Sequence, residues 1–174
     1  MINLIPEEQI GSLLRQRGLK LAVAESCTGG LIGHRITNIP GSSDYYLGSV
    51  TAYAYEAKRF LLQVNPDTLL EFGAVSRETA LEMAAGVRRV FAGNEIPVQK
   101  VIGLSVTGIA GPGGGMPGKP VGLVWIGMSI PEGDHAWKYV WHSDRLGNKM
   151  HSADQALALL VGYLDGKLPP ELSE

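Results

Sequence analysis

The run Leu19-Lys20-Leu21-Ala22-Val23-Ala24-Glu25-Ser26-Cys27-Thr28-Gly29-Gly30-Leu31-Ile32 limits the folds open to this chain more than any other. Its first half is an apolar strand. Its second half is a group of small polar residues closed by two glycines, and an apolar helical pattern follows at once. The pattern predicts a buried strand ending at Glu25 or Ser26, a tight turn, and a helix over about 28–37 with its N-terminus near Thr28. Ser26 then sits at the carboxyl end of a strand, where open α/β sheets bind their ligands. The helix turns unpaired backbone N–H groups back towards the same point. A hydroxyl nucleophile beside N–H donors is half of an acyl-transfer site.

The rest of the chain fits around that unit. Pro6-Glu7-Glu8 opens a first helix, with Ile10, Leu13 and Leu14 on its apolar face and Gly18 at its end. Residues 45–55 read as a long strand rich in aromatic and β-branched side chains. Short helices follow near 56–62 and from Pro66 to Gly73, and Ser76 caps a longer one bearing Ala80, Met83, Ala84, Val87 and Val90. Lys100–Val106 and Val121–Ile130 read as strands, and His135–Trp141 pairs back on the second as a hairpin. A last helix starts near Asp144, with Met150, Ala153, Leu157, Leu160, Val161 and Leu164 on its buried face. The order α-β-α-β-α-α-β-β-β-α predicts an α/β fold, a three-layer α/β/α sandwich on a mixed, mainly parallel sheet with a late antiparallel hairpin. Residues 1–166 are expected to form one domain, and 167–174 a polar tail that frays.

The 174 residues are 45% hydrophobic and 18% charged, enough for one proper core. Fifteen basic against 17 acidic residues leave a net charge of −2, which does not point to nucleic acid. The single cysteine, Cys27, excludes an internal disulfide and suits a reducing compartment. No apolar run approaches the roughly 20 residues of a membrane span. The start, Met1 to Pro6, lacks the charged head and cleavage site of a signal peptide. The expectation is a cytoplasmic protein that binds neither nucleic acid nor membrane.

Ser26 leads the candidates for chemistry, against the plainer reading that it caps a helix. None of His34, His135, His142 and His151 falls in a pattern suited to a triad, so a lysine is the natural alternative base. Tyr53 and Lys58 lie at the end of the second strand and the start of a helix, and reach the same sheet edge if that strand neighbours the first. Their reference pKa values of about 10 need tuning, which desolvation supplies for lysine. Cys27 ranks below Ser26 as a nucleophile, since a lone cysteine at a helix start is more often packed. Cys27, Thr28, Gly29 and Gly30 are candidate substrate-binding backbone. Gly29-Gly30 is no phosphate loop of the lysine-bearing kind, because no lysine and hydroxyl residue follow it.

A second glycine cluster, Thr107 to Gly115, follows a strand; Thr107, Gly108, Ala110 and Gly111 are its candidate ligand-binding positions. Arg145 either holds a phosphate or pairs with a surface acid. Glu25 and Asp44 are isolated carboxylates, and no metal set is evident. Trp125, Trp137, Tyr139 and Trp141 on the late strands are either core or an exposed face for dimer contact.

Together, Ala24-Glu25-Ser26-Cys27-Thr28-Gly29-Gly30, Gly41-Ser42-Ser43, Tyr53 with Lys58, Gly73-Ala74-Val75-Ser76, Thr107 to Gly114, Lys119-Pro120-Val121-Gly122 and Asp144-Arg145 resemble the CinA C-terminal domain family from about residue 6 to residue 165. The resemblance implies a cofactor-free amidohydrolase that converts nicotinamide mononucleotide to nicotinate mononucleotide and ammonia. It implies Ser26 as the nucleophile, with Lys58 and Tyr53 assisting, proton transfer running to Lys58 directly or through Tyr53. It also implies the substrate phosphate on the second glycine loop or on Arg145, and a homodimer. Two positions depart from the family pattern. Tyr55 stands where an asparagine is usual, a change expected to crowd or reshape the pocket. Lys149 stands in the region of a usual arginine, keeping the charge but not the bidentate fork. A ligand-binding module of the same fold without catalysis is the alternative.

Overall fold

The computed structural model describes residues 5–171. The start read for a signal peptide, up to residue 4, and the end of the tail, 172–174, lie outside the described residues. Helices α1 (Pro6–Arg17), α2 (Leu31–Thr37), α3 (Tyr55–Leu62), α4 (Pro66–Glu71), α5 (Arg77–Phe91) and α6 (Arg145–Leu164) alternate with strands β1 (Lys20–Glu25), β2 (Tyr46–Thr51), β3 (Val101–Gly108), β4 (Leu123–Ile130) and β5 (Gly133–Val140). The sheet order is β2-β1-β3-β4-β5. β1 pairs in parallel with both β2 and β3, while β4 runs antiparallel to β3 and to β5. Only β4 therefore opposes the other four strands, so the sheet is mixed and mainly parallel, closed by an antiparallel hairpin as predicted.

Alternation along the strands makes two cores, because successive side chains point to opposite faces. Leu21 and Val23 of β1, with Ile102, Leu104 and Val106 of β3, face α1, α2 and α6. Ala22 and Ala24 face α3, α4 and α5. This second face is built of small residues, which lets α5 ride close to the sheet. A Cβ on Gly103 would lie 2.1 Å from the Ala84 carbonyl oxygen, and one on Gly127 would lie 2.4 Å from that of Ala80. Ser105 adds a hydrogen bond from Oγ to the same Ala80 oxygen at 2.6 Å. On its outer flank α5 meets the end of α3, where a Cβ on Gly86 would stand 2.1 Å from the Leu62 carbonyl oxygen.

The caps read from the sequence are in place. Gly18 takes the left-handed conformation after α1, Ser76 Oγ accepts from Thr79 N–H, and an Asp144 carboxylate oxygen accepts from Gly147 N–H. Four expectations are corrected. α2 starts at Leu31 rather than Thr28, because Gly29 and Gly30 at φ 64° and 98° extend the turn. The second strand stops at Thr51. Met150 is half exposed rather than part of the buried face of α6, since it lies before the helix reaches the core. Residues 167–171 are seated on the domain rather than extended away from it: Trp137 Nε1 donates to Pro169 O, and Glu171 pairs with Arg77 and His135. Trp125 and Trp137 are buried, and Trp141 stacks on Tyr139 while donating to Ser152 Oγ on α6. Among the described residues no helix is long and apolar enough to cross a membrane.

Candidate active site

Parallel pairing of β1 with both neighbours fixes the site at its carboxyl end. The ladder runs one step past each strand: Ser26 N–H donates to Val106 O, and Ala52 N–H donates to Glu25 O. The β2 chain thus ends level with Ser26 and turns into α3. α3 exposes Phe60 and Leu61 but turns Lys58 and Leu62 inwards. Lys58 is only 1% exposed, and its Nζ lies 3.0 Å from Ser26 Oγ. The same nitrogen donates to Ala52 O at 2.8 Å and Tyr53 O at 3.4 Å. Burial pushes the Lys58 ammonium down to about 8. A neutral amine in this setting gives two N–H bonds to the two carbonyls and leaves its lone pair for the Ser26 hydroxyl.

Cys27 is buried, and burial pushes its thiol up to about 12, so it stays protonated beside Ser26. A thiol nucleophile needs its thiolate, which leaves the hydroxyl as the competent group of the two.

The turn after Ser26 is held by Glu25, which the sequence left as an isolated carboxylate. Glu25 is fully buried, and its carboxylate accepts from Gly30 N–H at 3.0 Å, Ile32 N–H at 3.1 Å and Gly33 N–H at 2.9 Å. The helix N-terminus therefore faces the protein's own carboxylate and not the serine. Gly29 N–H is taken by Ser26 O. The N–H groups expected to face a ligand from Gly29 and Gly30 are thus occupied. Those of Cys27 and Thr28 donate to no oxygen among the described residues. Thr28 is 1% exposed, and its Oγ1 has no partner there.

Ser26, Cys27, Tyr53, Lys58, Ala74, Val75, Thr107, Gly108, Ala110 and Arg145 line one cavity of about 210 Å³. Several of them also hold the walls. Thr107 Oγ1 donates to Ala74 O at 2.6 Å. A Cβ at Gly108 would fall 2.6 Å from Val124 Cγ2 and 3.1 Å from Cys27 Sγ, so this position must be bare. Gly111 has φ 91° and precedes a cis Pro112, and its carbonyl accepts from Arg145 Nη1 at 2.6 Å. Arg145 Nη2 donates to the Tyr53 hydroxyl at 3.0 Å. A second recess of about 600 Å³ adjoins along Ala110, Gly111, Pro112, Val121 and Arg145.

One residue of the site escaped the sequence reading. Asn148, 1% exposed, donates to Ala110 O and accepts from Ser143 N–H, tying α6 to the glycine loop. A polar residue one turn into an apolar helix was its signal. Tyr55 was expected to crowd the pocket, but it lies outside the cavity lining. Its ring borders a surface groove with Pro66 and Leu70, and its hydroxyl accepts from Ala74 N–H at 3.4 Å. At the first position of α3 it is half exposed, and its hydroxyl meets the cavity-wall residue Ala74 from outside the lining. No group of three or more metal-ligating side chains occurs among the described residues.

Comparison with known proteins agrees on one family. The model of the CinA C-terminal domain matches residues 5–164. A CinA-like protein of Salinibacter ruber is 48% identical over 151 residues, covering 87% of this chain and 35% of its own length. One from Acaryochloris marina is 53% identical over 133 residues, covering 76% of this chain and 30% of its own. The chain spans about a third of the length of such curated relatives. A solved competence/damage-inducible protein from Agrobacterium tumefaciens is 37% identical, with a TM-score of 0.79 over 92% of this chain and 95% of its own. One from Klebsiella pneumoniae is 29% identical, with a TM-score of 0.84 over 92% and 95%.

Proposed function

This chain belongs to the CinA C-terminal domain family, and from that premise we propose that it is a serine amidohydrolase that deamidates nicotinamide mononucleotide to nicotinate mononucleotide and ammonia. The observation that carries the reading is the buried Ser26–Lys58 contact at 3.0 Å. It pairs a hydroxyl with an amine whose proton burial has already loosened. At pH 7 roughly one lysine in ten with a pKa of about 8 is neutral, against fewer than about one in a thousand for an ordinary one.

In the first step Lys58 Nζ takes the hydroxyl proton as Ser26 Oγ attacks the carboxamide carbon. The N–H groups of Cys27 and Thr28, which donate to no protein oxygen among the described residues, are the donors assigned to the developing oxyanion. Collapse breaks the C–N bond, Lys58 returns its proton to the leaving nitrogen, and ammonia departs. Water, deprotonated by the same amine, then releases the nicotinate product from the ester on Ser26.

Cavity size divides the substrate. About 210 Å³ lies below the roughly 300–1,000 Å³ of ordinary ligand pockets, so it suits the amide-bearing ring alone. The ribose phosphate passes Arg145 into the recess of about 600 Å³. Arg145 has no carboxylate partner among the described residues, which leaves its charge for the phosphate. Tyr55, expected to reshape the pocket, is not among the residues that line this cavity. The test is ammonia release from nicotinamide mononucleotide by the purified chain. Stoichiometric ammonia and nicotinate mononucleotide support the reading; a folded protein that releases neither sinks it.

A further inference from the structure

On the reading just given, we propose that Tyr53 is a positioning residue: its hydroxyl holds the Arg145 guanidinium across the cavity mouth as the receptor for the substrate's phosphate, and it stands off the proton path. Ser26 and Lys58 touch directly, so no relay lies between them. The remaining contacts of Lys58 Nζ are main-chain oxygens, one of them from Tyr53 itself. The Tyr53 side chain lines the same cavity, but no hydrogen bond joins its hydroxyl to Lys58 or Ser26. The residue is 62% exposed, and its hydroxyl accepts from Arg145 at 3.0 Å.

Arg145 is gripped from two sides, by that hydroxyl and by the Gly111 carbonyl. Both acceptors are neutral, so they fix the plane of the guanidinium without cancelling its charge. A guanidinium has five N–H donors. With two engaged, three remain for a phosphate, which planar bidentate donors match well. The backbone behind Arg145 is held as well, through Asn148 to Ala110 O and the Asp144 cap. Arg145 lines both the Ser26 cavity and the wider recess, so an anion bound there belongs to a ligand whose other end reaches Ser26. Without the Tyr53 hydroxyl, one side of the grip is lost and the long side chain regains rotamer freedom.

The experiment compares nicotinamide mononucleotide with its phosphate-free riboside. Calorimetric binding is measured in Ser26→Ala, which cannot turn over, with and without Tyr53→Phe. Losing one hydrogen bond to a charged group is expected to weaken mononucleotide binding about five- to tenfold and riboside binding less than about twofold. In the active protein the loss falls on KM for the mononucleotide, with kcat kept within about threefold. In an Arg145→Met background Tyr53→Phe adds nothing. Equal weakening of both ligands, an unaffected mononucleotide, no mononucleotide binding by Ser26→Ala, or a kcat that falls about a hundredfold at constant KM each overturns the proposal. Tyr53-dependent binding in a protein that releases no ammonia keeps the receptor and removes the amidase reading alone.

Discussion

Glu25 and Ser26 are neighbours in the chain but serve opposite sides of one turn. The Glu25 carboxylate gathers three N–H groups at the start of α2, while the Ser26 hydroxyl faces Lys58 on α3. The turn is fixed by the first so that the second can be aimed.

Removing the hydroxyl tests the aim. Ser26→Ala is expected to lower ammonia release by about a thousandfold or more and to leave the circular-dichroism spectrum and thermal midpoint close to those of the wild type. The backbone bond from Ser26 N–H to Val106 O does not depend on the side chain. A thermal collapse in place of a kinetic one makes Ser26 a structural cap.

The rate should follow the proton on Lys58. A base must be neutral to accept, so log kcat/KM is expected to climb with unit slope below a pKa of about 8 and to level above it. Lys58→Met removes both the limb and the activity.

Stability carries the same signature with a definite sign. The folded-state value of about 8 lies below the 10.5 of an exposed lysine, so the unfolded chain holds more protons between those values. The contribution of Lys58 to stability therefore rises with pH across that window. Urea midpoints of wild type relative to Lys58→Met are expected to increase from pH 8 to pH 10. A constant difference overturns the assignment.

Glu25→Ala leaves two buried N–H groups, of Ile32 and Gly33, and the half-buried one of Gly30 without their acceptor. The expected cost is about 3 kcal/mol, read from denaturant midpoints, together with loss of activity as the turn loosens. A cost within ~0.5 kcal/mol means that water replaces the carboxylate.

Cys27, buried and with its thiol pushed up to about 12, is expected to resist alkylation in the native protein at pH 8 and to react in urea. Fast native labelling contradicts the enclosed thiol.

The sequence shows the frame because the frame is local. Pro6 and Gly18 bracket α1, Ser76 and Asp144 cap their helices, and near-continuous apolar runs mark β1 and β3 as central. Ser26 was readable for the same reason, as a strand-to-helix turn. The partnerships were not readable. That Glu25 would take the α2 N–H groups depends on where Gly29 and Gly30 swing the turn. That Arg145 would bridge Gly111 and Tyr53 joins residues 34 and 92 positions apart in sequence. Tyr55 was expected in the pocket because it stands where the family usually has an asparagine, but it lines a surface groove and reaches the cavity wall only through its bond with Ala74.

The close seat of α5 on Gly103 and Gly127 has a consequence for substrate scope. Ala74 and Val75, just ahead of α5, form the far side of the Ser26 cavity, and main-chain oxygens set how near that helix can stand to the sheet. The depth of the site is thus gauged by backbone and leaves little to be gained by trimming side chains there. Bulkier amides must be admitted from the entrance, at Tyr53 and Arg145. Natural variation and laboratory selection for new substrates should therefore concentrate at that rim, and leave the inner wall as it is.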